Sequence, residues 1–337
     1  MSNRIYEAYV VHENDQGKYK GNIEKKRVDD LPKHGVLIRV FYSSLNYKDA
    51  LSATGHKGIT NSYPHIPGID AAGVIEHSDD RRFKEGQNVI VTSFGLGENT
   101  PGGYGQYIRV PGDWLVPMPE GLTPFESMVI GTAGFTAALG VYKLRQNDVF
   151  PEDGPILVTG ATGGVGSLAV AILGRLGYNI TAATGKLQKK DYLMMLGARD
   201  VIHRDKVKGQ SSKPLLQSRW AGVVDTVGGS ILDTAIRQTK PNGAVTCCGN
   251  ILGAELNTNI YPFILRGVSL IGLDSGRCLM PLRKRIWRLL ANEWKPTMLE
   301  QIAQEVSLSE LDGEIKKILR GDQAGRIVVN LNINAQS

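Results

Sequence analysis

The sequence predicts an α/β protein built around an open, doubly wound parallel sheet. Three observations support this. Short strands separated by Gly and Pro fill residues 1–127, for example 35–41 and 88–92, which is typical of an antiparallel, barrel-like segment. The apolar run at 155–159 is typical of a strand buried on both faces of a parallel sheet. Strands and helices then alternate, as in repeated βα units.

The alternating region can be divided into elements from its apolar pattern and its glycines. Helices are predicted at 168–176 and 188–196, each ended by a glycine. Further strands are predicted at 179–183, 201–202, 222–225, 243–246 and 268–272.

Length and composition limit the possible functions. The 337 residues are too many for one ordinary core, so two domains are expected. A net charge of +6 and a pI near 9.1 favour a small anionic partner and do not indicate nucleic-acid binding. Three cysteines are too few for a disulfide framework or a four-cysteine zinc site. We see no signal-type leader and no segment of membrane-spanning length, so a cytoplasmic protein without membrane contact is expected.

A glycine-rich turn at 160–166 follows the 155–159 strand and precedes a helix, the context that a dinucleotide fingerprint requires. Here Thr162, Gly163, Gly164 and Val165 are predicted to meet the cofactor, because backbone N–H groups at a helix N-terminus bind phosphate. Ala161 occupies the first fingerprint position, but the neighbouring Gly160 could still make the tight turn. The alternative is a structural glycine turn without a ligand.

The second predicted strand of this region lacks the acidic residue that binds the ribose hydroxyls of NAD. It ends instead in Thr184, Gly185 and Lys186, which could bind and neutralise a 2'-phosphate. Arg204 is a second candidate cation. These residues predict NADPH as the cofactor, and the alternative is a helix-capping Thr followed by a solvated Lys.

With these motifs in place, the chain resembles the zinc-free quinone oxidoreductase branch of the medium-chain dehydrogenase/reductase superfamily, and within it the acrylyl-CoA reductase-like subgroup. The resemblance rests on motifs that follow one another along nearly the whole chain: SLNYKDA at 44–50, PGIDAAG at 67–73, VPGDWL at 110–115, GTAGFTA at 131–137 and GLDS at 272–275. It implies a GroES-like β-barrel catalytic domain made from residues 1–127 and 280–337, around a Rossmann cofactor domain at 128–279. It also implies a homodimer.

The resemblance also indicates whether the protein binds a catalytic metal. Zinc-dependent relatives have a cysteine where Asn46 stands and a His-Glu pair where Ile69 and Asp70 stand. Asn and Ile cannot supply the thiolate and imidazole ligands that catalytic zinc uses. We therefore expect no metal.

Without a Lewis acid, hydrogen bonds must polarise the acceptor, which suits hydride addition to the β carbon of an enone or enoyl thioester. The resemblance places Asn46 and Tyr47 over the nicotinamide with Asp70 close by. Asn46 could donate to a carbonyl, and Tyr47 could donate a proton or place a water. The alternatives are an Asx-turn role for Asn46 and a core position for Tyr47.

Further site residues also come from the resemblance. Arg283 is predicted to meet a substrate carbonyl or phosphate, the alternative being a solvated basic run at 283–285. The remaining cofactor contacts are predicted at Thr132, Thr136, Gly249 and Asn250.

Acrylyl-CoA or a similar enoyl thioester is the expected acceptor. A general quinone or enone reductase and a non-catalytic NADPH-binding sensor are the alternatives, since fold alone does not fix function.

Overall fold

The structure is a computed structural model that describes residues 4–209 and 211–332. Its strands are β1 (Ile5–Glu13), β2 (Tyr19–Arg27), β3 (Val36–Leu45), β4 (Asp70–Ser78), β5 (Asn88–Thr92), β6 (Tyr107–Val110), β7 (Leu115–Pro117), β8 (Ile156–Val158), β9 (Ile180–Thr184), β10 (Asp200–His203), β11 (Trp220–Asp225), β12 (Thr239–Cys247), β13 (Ser269–Gly272), β14 (Ala303–Ser307) and β15 (Arg326–Asn330). Its α-helices are α1 (Tyr47–Ala53), α2 (Pro124–Gln146), α3 (Gly164–Arg175), α4 (Lys190–Met195), α5 (Gly229–Gln238), α6 (Tyr261–Arg266), α7 (Met280–Ala291), α8 (Leu299–Ile302) and α9 (Leu311–Leu319).

The chain divides into two units that each combine distant segments. Among the described residues, the first unit contains 4–132, 276–284 and 299–332, and the second contains 133–209, 211–275 and 285–298. These limits differ from the expected boundaries at 127/128 and 279/280. Residues 285–298 lie with the second unit because Trp287 stacks on Phe135, with ring centroids 6.2 Å apart, and Trp294 packs against Tyr142 at 6.5 Å.

The first unit is built on a seven-stranded sheet. Its order is β14-β15-β3-β4-β5-β7, and β6 also pairs with β3. The antiparallel character predicted for residues 1–127 is confirmed for the pairs β3–β4, β4–β5 and β5–β7. Beyond that range, β15 is antiparallel to β3, whereas β14 and β15 are parallel. A separate β1–β2 hairpin adds buried apolar side chains from β1, such as Val10 and Val11, to the same core. The C-terminal strand β15 thus completes a sheet that begins near the N-terminus.

The second unit contains the predicted parallel sheet. Its six strands lie in the order β10-β9-β8-β11-β12-β13, and every pair is parallel. This order, with the first strand of the unit at the centre and a reversal beside it, defines a doubly wound sheet. β8 is buried along its whole length, as its continuous apolar sequence predicts.

In the part of the chain that the structure describes, one helix, α2, is long and apolar enough to cross a membrane by length and composition. The expectation that no segment reaches this length is therefore wrong for α2. However, 83% of its most apolar window is buried inside the protein, and Gly131 interrupts the helix with φ 49° and ψ −157°. Burial within the fold accounts for its apolar composition, because a helix that is apolar all round is stable when the protein surrounds it.

Candidate active site

The first unit contains a buried polar cluster centred on Asp70, at the start of β4. Asp70 is fully buried, and its Oδ2 accepts hydrogen bonds from Ser44 Oγ at 2.7 Å, Asn46 Nδ2 at 2.8 Å and the Thr132 N–H at 2.9 Å. Its Oδ1 accepts from Thr132 Oγ1 at 2.5 Å. Hydrogen bonds therefore link three predicted site residues directly: Asn46, Asp70 and Thr132. Asn46 takes part through its side-chain amide.

Arg326 is a charged member of this cluster that the sequence did not predict. It is 3% exposed at the start of β15, and its Nη2 lies 3.8 Å from Asp70 Oδ2. Nη1 donates to Asn46 Oδ1 at 3.2 Å, and Nη2 donates to Ser44 Oγ at 2.7 Å. The one signal in the sequence was an arginine opening an otherwise apolar strand, because such a residue is rarely fully buried unless it is paired. Both ends of the Asn46 amide are thus fixed by buried charged groups.

Gly131 leaves the space that the side chains of this cluster occupy. A Cβ at this position would lie 2.6 Å from Asp70 Oδ2, 2.7 Å from Ser44 Oγ and 2.9 Å from Arg326 Nη2. Its φ of 49° is also unfavourable for residues with a side chain. The kink in α2 therefore lets the backbone approach the Asp70 cluster closely.

Helix α1 begins directly after Asn46 and presents Tyr47 at its first position. The Tyr47 side chain is 45% exposed, so the alternative of a core aromatic is not what the structure shows. Asp49 is buried; its Oδ2 accepts the Asn46 N–H at 2.8 Å and its Oδ1 accepts the Ile69 N–H at 2.8 Å. Asp49 therefore caps the helix and ties the backbone of Asn46 to the strand that carries Asp70.

The buried carboxyl of Asp49 predicts a pH dependence of stability. Burial, followed by the charge of Asp70, raises the pKa of Asp49 to about 7 from its ordinary value of 3.8. Because the folded state holds this proton more tightly than the unfolded chain, its contribution to stability is complete below the unfolded pKa and is lost as the pH rises through about 7. We expect the stability of the wild type relative to Asp49→Asn to increase as the pH falls from about 8 to 5, by up to about 1.4 kcal/mol per pH unit. Thermal unfolding of both proteins across this range measures it, and parallel profiles would contradict it.

Arg283, predicted to meet the substrate, is 1% exposed. Its Nη1 donates to Thr92 O at 3.1 Å and to Thr92 Oγ1 at 2.7 Å, and its Nη2 donates to Gly276 O at 3.2 Å. The guanidinium carbon lies 4.2 Å from the centre of the Phe94 ring. Arg283 is therefore not part of a solvated basic run. Its guanidinium forms contacts within the protein.

In the second unit, the glycine-rich turn has the geometry of a phosphate-binding loop. Gly160 has φ 57°, so it makes the tight turn as predicted despite Ala161. A Cβ on Gly166 would lie 2.3 Å from Gly160 O, which shows how closely α3 packs on the turn. Helix α3 begins at Gly164, earlier than the predicted 168, because glycines hide a helix start from propensity rules. Its first N–H groups therefore belong to Gly164 and Val165 and are suited to a pyrophosphate.

The end of β9 contains the residues predicted for the 2'-phosphate. Thr184 is buried; its Oγ1 lies 3.0 Å from Thr162 Oγ1 and accepts the Lys186 N–H at 3.0 Å. Arg204 follows the neighbouring β10, and a Cβ on Gly185 would lie 3.3 Å from its Nε. The exposed guanidinium of Arg204 thus lies over Gly185, next to Lys186. Lys186 and Arg204, together with the lack of a carboxylate at 184–186, fit NADPH, whereas the Thr184 hydroxyl is used to shape the turn.

The remaining cofactor residues lie at two further places in the second unit. Thr136 Oγ1 donates to Ser275 Oγ at 2.7 Å. A Cβ on Gly249 would lie 2.0 Å from Thr226 O, so the backbone leading to Asn250 passes directly over the end of β11. At that edge burial raises the pKa of Asp225. Its carboxyl accepts hydrogen bonds from Thr159 Oγ1, just after β8, at 2.7 Å and from the Gly228 N–H, in the turn after β11, at 2.8 Å.

Within residues 4–209 and 211–332, no group of three or more His, Cys, Asp or Glu side chains is placed to hold a metal ion.

Comparison with known families gives two matches in chain order. Residues 32–120 match the alcohol dehydrogenase GroES-like domain, and residues 164–294 match the zinc-binding dehydrogenase domain. Together they cover most of the chain and correspond to the predicted GroES-like and Rossmann folds.

Three relatives match nearly the whole chain. It is 48% identical over 304 residues, 90% of this chain and 92% of the relative, to the putative quinone oxidoreductase YhfP of Bacillus subtilis; the yhfP structure with NAD bound has a TM-score of 0.94, at 45% identity and with 97% and 100% of the two chains covered. It is 42% identical to the acrylyl-CoA reductase AcuI of Ruegeria pomeroyi, over 97% of this chain and 100% of the relative. The structure of Escherichia coli YhdH with NADPH bound has a TM-score of 0.92 at 43% identity, covering 96% of this chain and 100% of that one.

Proposed function

Because the chain belongs to the medium-chain dehydrogenase/reductase superfamily, among its acrylyl-CoA reductase and quinone oxidoreductase members, we propose that it reduces the activated C=C bond of acrylyl-CoA or a similar enoyl thioester. It is an NADPH-dependent oxidoreductase. The observation that carries the proposal is the fixed amide of Asn46 between Asp70 and Arg326, at the position where zinc-dependent members have a cysteine. We propose that the reaction proceeds without a metal.

The residues of the second unit fit NADPH. The turn from Gly160 to Gly166 and the start of α3 would hold the pyrophosphate, while Lys186 and Arg204 would hold the 2'-phosphate. We propose that the nicotinamide half contacts Thr136, Gly249 and Asn250 of this unit and also Thr132, which belongs to the first unit. When bound, NADPH supplies the hydride.

Asn46, Tyr47 and Asp70 are proposed to act at the acceptor. Asp70 accepts from Asn46 Nδ2 and Arg326 donates to Asn46 Oδ1, so the amide cannot rotate freely and its polar edge is preorganised. Tyr47 lies next to it with a partly exposed phenol and is suited to place a water or deliver the proton that the α carbon requires. Asp70 itself is fully buried and acts through Asn46, so it is a positioning residue.

Parallel assays of NADPH oxidation with acryloyl-CoA, crotonyl-CoA and a quinone test the proposal. We expect the highest kcat/KM with an enoyl thioester, and a loss of about 100-fold in Asn46→Ala. A quinone reductase is the second candidate, because YhfP, at 48% identity, is named as a putative quinone oxidoreductase. Turnover of the quinone alone would establish that candidate and reject the first.

The pair of cations predicts the coenzyme preference. Lys186→Glu is expected to reduce kcat/KM for NADPH by about 10- to 100-fold, the value of one charge-assisted hydrogen bond, and to change that for NADH much less. Arg204→Met should act in the same direction. Since yhfP has been solved with NAD bound, both coenzymes must be measured with each variant.

Lys189→Glu is the matched control, since Lys189 is exposed three positions further on and undergoes the same charge change. Equal losses with NADPH in Lys186→Glu and Lys189→Glu would mean that general electrostatics, and not a 2'-phosphate site, sets the preference.

We further propose a cytoplasmic homodimer that binds neither nucleic acid nor membrane. The edge strand β13 comes directly after α6 in the chain, and α6 has exposed apolar side chains, with Ile264 64% and Leu265 62% exposed. Exposed apolar groups beside an open sheet edge suit pairing with a second copy. Light scattering that gave a monomer mass would reject the dimer.

A further inference from the structure

Two adjacent residues directly after β5 have a left-handed backbone although neither is glycine. Ser93 has φ 64° and Phe94 has φ 60°. Residues with a Cβ enter this region rarely, and normally one at a time. Such a conformation persists only where the surrounding structure imposes it, and it is concentrated at functional sites.

Arg283 holds this turn from both sides. Its Nη1 bonds to both the carbonyl and the hydroxyl of Thr92, the residue before Ser93. Its guanidinium lies over the ring of Phe94, the residue after Ser93, at 4.2 Å. The ring of Phe94 also stacks on Trp114, with an interplanar angle of 14°. A buried planar cation that forms hydrogen bonds and stacks at the same time fixes both flanks of Ser93.

Ser93 in turn joins the Asp70 cluster. Its N–H donates to Ile69 O at 2.7 Å, and its Oγ lies 3.2 Å from Thr132 Oγ1. Since the Thr132 hydroxyl donates its proton to Asp70 Oδ1, the Ser93 hydroxyl is the donor to Thr132. A chain of hydrogen bonds thus runs from Ser93 through Thr132 and Asp70 to the amide of Asn46.

We propose that Arg283 is a positioning residue for the reduction, which clamps the Ser93–Phe94 turn and so fixes Asn46 through Thr132 and Asp70. This inference rests on the proposed function, and it replaces a direct contact between Arg283 and the substrate. The charge of Arg283 serves the turn and not a CoA phosphate. Its removal therefore affects kcat more than substrate affinity.

A double-mutant cycle between Arg283→Met and Ser93→Ala tests the inference. We expect each single change to lower kcat with an enoyl thioester by about 10- to 100-fold, with the KM for the thioester within about twofold. Combining them should add little, since both act through one hydroxyl. Arg288→Met, an exposed arginine of the same helix, is the control and should match the wild type. Multiplying effects, or a raised KM with unchanged kcat, would overturn the inference.

Hydrogen exchange gives a readout that needs no turnover. The Ser93 amide should exchange about tenfold faster in Arg283→Met, while the β3 amides remain protected. If Arg283→Met does not fold, Thr92→Val takes its place in this test. Thr92→Val removes one acceptor of the Arg283 guanidinium but keeps the side-chain shape, so the Ser93 amide should again exchange faster, by a smaller factor. Unchanged exchange in Thr92→Val and Arg283→Met overturns the clamp. A wild type that reduces no acceptor overturns the proposed function, and the positioning role fails with it.

Discussion

Replacing Asp70 with alanine is expected to destabilise the protein by about 3–5 kcal/mol, because it leaves the buried Arg326 without its carboxylate. The same change removes the acceptor of Ser44, Asn46 and Thr132. Calorimetry should therefore show a lowered Tm for the first unit. The kcat/KM should fall by up to about 100-fold, the loss expected for Asn46→Ala, because the Asn46 amide is no longer held.

A second substitution, Arg326→Met, tests whether the destabilisation in Asp70→Ala comes from the unpaired charge of Arg326. In Asp70→Ala combined with Arg326→Met both members of the buried pair are removed together, so the double variant should be less destabilised than the sum of the two single variants. Asp322→Ala, which removes an exposed carboxylate paired with Arg320, should stay within about 0.5 kcal/mol of the wild type. Additive losses across the double variant would show that the two charges do not stabilise one another.

Gly166→Ala should weaken cofactor binding by moving α3 away from the turn. The new methyl would lie 2.3 Å from Gly160 O and 2.8 Å from Ala161 Cα, and both are backbone atoms that cannot rotate away. Overpacking of this kind costs about 1–3 kcal/mol or more. We expect a lowered Tm of the second unit and an NADPH Kd raised by at least about tenfold in fluorescence titrations, equivalent to about 1.4 kcal/mol.

Gly163→Ala is the matched control, because its Cβ would meet only Gly160 O, at 3.3 Å. This variant should keep a nearly normal Tm and lose affinity for NADPH, since the methyl would occupy space at the pyrophosphate. If Gly166→Ala had the Tm and Kd of the wild type, the close packing of helix on turn would have no part in binding.

The sequence alone was sufficient for the features that local backbone chemistry dictates. The 155–159 run and the Gly160–Gly166 turn specify a buried strand, a sharp turn and a helix start through residues that are neighbours in the chain. The βα alternation predicted that these strands form a parallel, doubly wound sheet. The missing carboxylate after β9 indicated NADPH for the same reason, since the residues that meet the ribose lie at a fixed distance from the turn.

Only the tertiary structure revealed how Asn46 is held. Arg326 is 280 positions away from Asn46, and no local pattern connects them, because their contact depends on β15 pairing with β3 across the sheet. Burial also decided the placement of Arg283, whose basic neighbours suggested solvent or phosphate, whereas the fold directs its charge at Thr92 and Phe94. A charged side chain that is buried in a core must be paired there. The topology of the fold decides which groups lie close enough to pair with it.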